Sequence, residues 1–462
     1  MHQKSLTYYV VLLMAFFMPL LYFKTYLGPI PISAEVIFIP LLTLLAAYEY
    51  WKGKIELNDF KIWPLLLAFG VYFLIAAISL TQAVSVTPGI MEIARYLSYV
   101  VMFVIVSKVN FTKAQYKSFG IAFLASIMIV GLFGALQYVF NFSLNKAGLY
   151  ALDEAIGRVD STLINPNYYS AFLNFVIPAV LLFSVLYFKD KKYQLLMFAL
   201  YGVFIVNLIL TYTRAAWLTM ACALILTIII IPKQFIKNVI KPHILIAFLV
   251  LFTGVYFMPD VQERTSSALY ALERLLPSGS DHEKPPSDDG DDSVEDGSEE
   301  DDENNEDKEK EDETTNRAVV SRTTLWKTGF YMMKDNPILG IGSGNYRERY
   351  YEYVTKYPEL YIGHDDSYSV HNSYLKVGAE NGVTGLIAFL AIYIVYLLKI
   401  AKLHFKQTTT LGKTLSVGLF VGSVCYLVQN LSNNLIFIPQ LNVIFWLVGG
   451  VVLSYLYKLS KK

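Results

Sequence analysis

Cysteine is scarce, with Cys222 and Cys425 the only two in 462 residues. Both fall inside long apolar runs, where a thiol behaves as a small hydrophobe, so a disulfide framework is excluded as the organising constraint. The sequence contains neither G-x-x-x-x-G-K-[ST] nor a dinucleotide fingerprint, which removes the two familiar backbone cradles for nucleotide phosphates. It shows no convincing internal repeat of the kind that builds many transporters. The first apolar run is followed by Lys24 and further apolar runs without a small-residue cleavage site, so no cleavable signal peptide is expected.

Apolar residues are abundant. They make up 55% of the chain, and the mean hydropathy of +0.44 rules out an ordinary soluble protein. Runs near 20 residues, each able to cross a hydrocarbon core of roughly 30 Å, recur throughout. They lie at about 7–23, 30–50, 63–81, 90–107, 119–140, 166–188, 194–212, 214–231, 241–258, 371–398, 413–433 and 438–457. Lysines cluster on one side of this series, at 52, 54 and 61, at 108, 113 and 117, at 189, 191 and 192, at 233, 237 and 241, at 399, 402, 406 and 413, and at 458, 461 and 462. The short segments between them offer only Lys24, Lys146, Arg158 and Arg214. Positive-inside bias therefore predicts both termini in the cytoplasm and an even number of crossings. The expected fold is an all-α integral membrane protein of about twelve helices.

A net charge of zero conceals two regions. Residues 281–313 hold 19 acidic residues against three lysines, leaving 35 basic against 19 acidic elsewhere. The chain accordingly divides into membrane helices over 1–258, a large extracytoplasmic loop over 259–370 with its acidic insert at 281–313, and further membrane helices over 371–462. The insert has too few apolar residues to fold. An EF-hand register from Asp292 fails because Val294 stands where an oxygen ligand is needed. Residues 321–334, by contrast, suit an amphipathic helix with Arg322, Trp326, Gly329 and Met333 on one stripe. Asn336-Pro337 stops it, and Gly340, Gly342 and Gly344 follow in a turn-rich strip.

Four places on the expected outer side carry chemistry. Arg158 precedes Asn165-Pro166-Asn167, Tyr212-Thr213-Arg214 makes a tight turn, Arg322 sits on the loop helix, and His371 with Asn372 opens the tenth span. A single arginine at a membrane surface is as readily a snorkelling anchor. Three guanidiniums from distant segments, however, suit one polyanion such as a diphosphate, whose oxygens match their fork. A histidine at a helix start is often only a polar cap. Here Gly378, Gly382 and Gly385 fall within about 40° of its face, a stripe that lets a neighbour approach closely and hold the imidazole in place. Glu92 and Arg95, about one turn apart near the outer end of the fourth span, are functional candidates as ionisable residues within a span, and a mutually neutralising pair explains them equally well.

Three segments carry a resemblance: TYTRAAWL at 211–218, RTTLWKTGFYMMKDNPILGIGSGNY at 322–346, and VHNSYLKVGAENGVTGLIAFL at 370–390. The last contains His, Asn, nine residues, Gly, two residues, Gly. Together they resemble the bacterial O-antigen ligase and Wzy-type polysaccharide polymerase superfamily. The resemblance implies a glycosyltransferase of the cytoplasmic membrane, working on its outer face without metal, cofactor or nucleotide sugar. The implied donor is a glycan linked to undecaprenyl diphosphate, and the acceptor a glycan, lipid or protein. Nucleic acid is not among the implied partners. His371 is then the general base, with Arg214, Arg322, Arg158 and Asn372 on the diphosphate or the sugars. Repeat-unit polymerisation is the main expectation, since a Lys- and Ile-rich chain suits a low-GC bacterium. The O-antigen ligase and protein O-oligosaccharyltransferase activities stand beside it, and a transporter or flippase for lipid-linked glycan is the alternative from another class.

Overall fold

The computed structural model describes residues 5–21, 24–27, 30–144, 157–258, 322–362 and 369–461. The acidic insert 281–313 and His364 lie outside them. Helix α1 (Leu6–Phe17) leads through an antiparallel hairpin, β1 (Lys24–Leu27) and β2 (Ile30–Ser33), into α2 (Ala34–Trp51). There follow α3 (Trp63–Ser79), α4 (Val86–Lys108), α5 (Lys113–Phe140), α6 (Pro166–Leu182), α7 (Lys191–Leu210), α8 (Arg214–Ile230), α9 (Pro232–Val239) and α10 (Pro242–Tyr256). After the undescribed stretch come α11 (residues 322–335), α12 (Tyr346–Lys356), α13 (Ser373–His404), α14 (Thr410–Gln429) and α15 (Pro439–Ser460).

Local chemistry sets many of these boundaries. Thr112 and Gln115 form a reciprocal capping box that starts α5 earlier than the apolar run suggests. Pro166, Pro232, Pro242 and Pro439 each occupy a first turn, where a missing N–H costs nothing. The run expected at 7–23 is helical only to Phe17, and Pro19 follows just beyond it. Ile231, held outside the helical region ahead of Pro232, splits off α9, which leaves α8 at 113°. That lysine-bearing segment was expected as a plain connection.

Among the described residues, α2 to α7, α13, α14 and α15 are long and apolar enough to cross a membrane, nine in all. Helix α8 qualifies only together with α9, and α1 and α10 are shorter apolar helices. At 12 residues α1 covers about 18 Å, less than a full hydrocarbon core. All twelve expected segments are thus helical, but three of them fall short of an independent span.

Helix ends gather on two faces. On the lysine-rich face, Asn58 N–H donates to the Lys108 carbonyl at 2.7 Å, and Lys458 Nζ to that of Phe111 at 2.6 Å. Ser5 Oγ donates to Glu49 at 2.7 Å on the same face, where Tyr8 packs on Phe111. The opposite, arginine-bearing face is tied by Thr162 Oγ1 to the Pro19 carbonyl at 2.8 Å, Gln440 Nε2 to Met18 at 2.8 Å, and Ser373 N–H to Asn430 at 2.9 Å. In between, α14 packs along α6 and α8, α13 along α3, and α15 along α4.

Helix α13 is not continuous. Gly382 adopts φ 69° and ψ −175°, so residues 373–381 form a separate short arm. The expected glycine stripe on a straight helix is therefore corrected: close approach occurs at the break, and the approaching backbone is a loop. Residues 337–342 fill the gap, with Ile341 N–H donating to Ala379 at 2.9 Å, Gly342 N–H to Glu380 at 3.1 Å, and Val383 N–H to Pro337 at 2.8 Å. A β-carbon on Gly382 would stand 2.3 Å from the Ile338 carbonyl oxygen, and one on Gly340 would stand 2.4 Å from the Glu380 backbone. Only glycine fits either place. Gly382→Ala should therefore cost at least about 1–3 kcal/mol through the strained backbone alone. A clearly lower melting temperature of the purified variant is expected, and unchanged melting would refute this reading of the break.

Candidate active site

Three helices begin on the arginine-bearing face in the same unusual way. A bulky residue in the left-handed region, Ile164 (φ 57°), Tyr212 (φ 48°) or His371 (φ 49°), precedes the polar N-cap of α6, α8 and α13 respectively. Non-glycine residues rarely sit there, and such strain collects at functional sites. Asn165 caps α6 by accepting from the N–H groups of Asn167 and Tyr168, and Asn372 caps α13 through those of Tyr374 and Leu375. Thr213 gives α8 no side-chain cap. Its hydroxyl turns instead to Asn167 Oδ1 at 3.3 Å. Three positive helix ends on one face form a setting for an anion.

These ends adjoin one another around the terminus of α14. Asn174 of α6 donates to the Ala216 carbonyl of α8 at 3.0 Å. Ser373 Oγ donates to Asn430 Oδ1 at 2.7 Å, and Tyr374 Oη to the Leu427 carbonyl at 2.7 Å. Arg214, first residue of α8, is thereby brought to the face that carries His371.

Arg158 acts as a brace. Its Nε donates to the Thr211 carbonyl at 2.8 Å, and its Nη2 donates to Thr213 Oγ1 at 3.1 Å and Asn167 Oδ1 at 3.3 Å. The same loop is anchored by Val159 N–H on Leu210 at 3.0 Å and by buried Asp160 on Gln137 at 3.0 Å. Arg158 thus joins the starts of α6 and α8. Asn372, only 6% exposed, is likewise occupied through its carbonyl oxygen as a cap.

Gly329 and Met333 of the α11 stripe pack inward. Gly329 faces Val370, and Met333 Sδ fills the place where a β-carbon on Gly378 would stand. Arg322, two turns before Gly329, is exposed at the start of this helix and near enough to His371 to act on its charge. The half-buried His371 feels Arg322 and Arg347 together. Burial first, and then these two guanidiniums, hold its pKa below the ordinary value near 6.5. The lowering favours the neutral imidazole, the form that can accept a proton.

Arg347, at the start of α12, escaped the reading of the sequence because it sits among the mixed charges of YRERYYEY. A second omission lies on the short arm of α13. Lys376 Nζ binds both Glu92 oxygens at 3.0 and 2.9 Å and Glu380 at 2.7 Å. Glu380, 1% exposed, also accepts the Tyr346 N–H at 3.1 Å. Glu92 is therefore neutralised by Lys376 and not by Arg95, because the fold supplies a cation from 284 residues away. The cluster locks the His371 arm to α4 and to the start of α12. Among the described residues, no three His, Cys, Asp or Glu side chains gather in a metal-binding group.

Comparison with known proteins gives one family match. The model described as O-antigen ligase matches residues 199–390, a segment that contains Arg214, Arg322, Arg347, His371 and the Lys376–Glu380 pair but not Arg158. No curated protein matches the chain.

Because Arg347 raises the cost of a second positive charge at His371, Arg347→Gln should move the imidazole titration to higher pH. The measurement is an NMR titration of labelled histidines, with the His371 signal assigned by its loss in His371→Gln. A titration unmoved by Arg347→Gln would contradict the placement of these groups.

Proposed function

We propose that this chain, which matches the O-antigen ligase family model over residues 199–390, transfers a glycan from undecaprenyl diphosphate to an acceptor hydroxyl. The observation that carries this reading is the place of His371, in strained left-handed backbone just before the N-cap of α13 and on the face where α6 and α8 also begin, with Arg322 and Arg347 near enough to weigh on its charge. The proposed topology has twelve crossings, with α9 lying along the cytoplasmic surface and the arginine-bearing face outside the cytoplasmic membrane. It is supported by the lysine asymmetry and by the gathering of both chain ends on one face.

In this mechanism Arg214 and Arg322 grip the donor diphosphate, and the uncapped start of α8 adds its dipole. His371 takes the proton from the acceptor hydroxyl as its oxygen bonds to the anomeric carbon. The bond from that carbon to the phosphate oxygen breaks, and the electron pair leaves with undecaprenyl diphosphate, which needs no protonation. Fixed cations facing the developing charge lower the barrier without metal. Arg158 holds the turn from which Arg214 projects, and Asn372 holds the arm of His371.

Two acceptors are consistent with this geometry. The Lys- and Ile-rich composition favours addition to another repeat unit, giving a cell-surface polysaccharide. The family description favours transfer of a finished glycan, as an O-antigen ligase performs it. A ladder of product lengths marks the polymerase, and a single product the ligase or the protein O-oligosaccharyltransferase.

General-base assistance is worth about 100- to 10,000-fold, so His371→Ala should lose turnover by that order while donor binding persists. Paired hydrogen bonds to phosphate demand a guanidinium, so Arg214→Lys and Arg322→Lys should fail nearly as badly as the alanine variants. The check is glycan transfer by purified, membrane-inserted protein. Normal transfer by His371→Ala would overturn the mechanism, and full activity of both lysine variants would overturn the bidentate grip.

A further inference from the structure

A cavity of about 660 Å³ lies on the opposite side of the molecule from His371, bounded by α5, α6, α7, α14 and α15. Its walls are apolar, with Phe123, Phe175, Leu415 and Val448 among them, while Lys113 and Lys117 stand at its mouth on the lysine-rich face. From Lys113 to Ile127, which also lines it, α5 rises about 21 Å. The cavity therefore runs from the interface to about mid-membrane, the extent of one leaflet.

Two further features set this space apart from a packing fault. Gly120 lines it, and a β-carbon there would meet nothing within 4 Å. A glycine inside a helix is costly when its lack of a side chain serves no packing. The wall opposite includes Phe183 and Tyr187, the ends of a π-helical turn that extends α6. Such turns are rare and often mark functional sites. Here the turn is held by Ser184 Oγ on the Gln194 carbonyl at 2.8 Å, which fixes the cavity wall.

We infer that this groove binds an anionic glycerophospholipid from the leaflet on the lysine-rich face, its phosphate on Lys113 and Lys117 and an acyl chain along the apolar wall. Charge complementarity selects this occupant over a zwitterionic lipid. It is also selected over a polyprenyl tail entering from the arginine-bearing face. The lining ends at Phe175 and Val448, each nine residues from the start of its helix on that face, about 13 Å short of it. That the lysine-rich face is cytoplasmic rests on the orientation proposed above, but lipid retention in detergent reads no sidedness, so either idea can fail alone.

The test is native mass spectrometry of the purified full chain with equal phosphatidylglycerol and phosphatidylcholine, and separately with added undecaprenyl phosphate. Two lysines near the surface predict at least about tenfold preference for phosphatidylglycerol. Lys113→Gln combined with Lys117→Gln should abolish that preference, and Gly120→Phe should reduce retention of either lipid. The exposed lysine pair carries the test if Gly120→Phe does not fold. Equal retention of the two phospholipids, an unchanged preference in the lysine variant, or displacement by undecaprenyl phosphate would overturn the proposal.

Discussion

Where α13 breaks at Gly382, the carbonyls of Ala379 and Glu380 receive the N–H groups of Ile341 and Gly342, and the Val383 N–H turns to Pro337. A transmembrane helix cannot leave such groups unpaired, and the loop that pairs them is the one that continues into α12 with Arg347. Ser79 Oγ closes the same junction by donating to the carbonyls of Leu339 and Glu380 at 2.8 and 2.6 Å. Asn345 ties it to Ser85 through two bonds of 2.8 Å. The break gives the short arm of α13, which carries His371 at its start, a course separate from the rest of the helix.

Charge is distributed to suit that junction. Glu92 and Glu380 share Lys376 beneath the surface, while Arg322 and Arg347 are the cations that weigh on His371. Buried ion clusters are weak evidence for net stability; what this one does is join the short arm of α13 to α4 and to the start of α12. The strained backbone at Ile164, Tyr212 and His371 points the same way, since three unfavourable residues at three helix starts are retained only where surrounding contacts over-determine them.

Much of this was legible in the sequence. Lysine placement separated the two faces, and the Asn-Pro and Gly-x-Gly-x-Gly pattern after Met333 marked the turn strip. The α11 stripe was readable because Gly329 and Met333 follow helical period. What escaped depends on contacts across hundreds of residues. Periodicity cannot show that Glu92 meets Lys376, that Arg158 spends its donors on Thr211 and Thr213, or that Arg347 comes near enough to His371 to act on its charge. The glycines of α13 were noticed but misread, because period alone does not distinguish a packing stripe from a helix that stops and restarts. The short length of α1 was hidden by apolar residues continuing beyond the helix end ahead of Pro19, whereas α8 has the length read for it and only its bend into α9 went unseen.

The proposed transfer is a single displacement at the anomeric carbon, with His371 as base and arginines on the departing diphosphate. The most direct test is the anomeric configuration of the new linkage, determined by NMR after purified protein acts on an undecaprenyl-diphosphate glycan of known configuration. One displacement predicts inversion relative to the donor. Retention would require a second displacement for which the account supplies no nucleophile, and translocated glycan with no new glycosidic bond would make the chain a transporter; either result contradicts it.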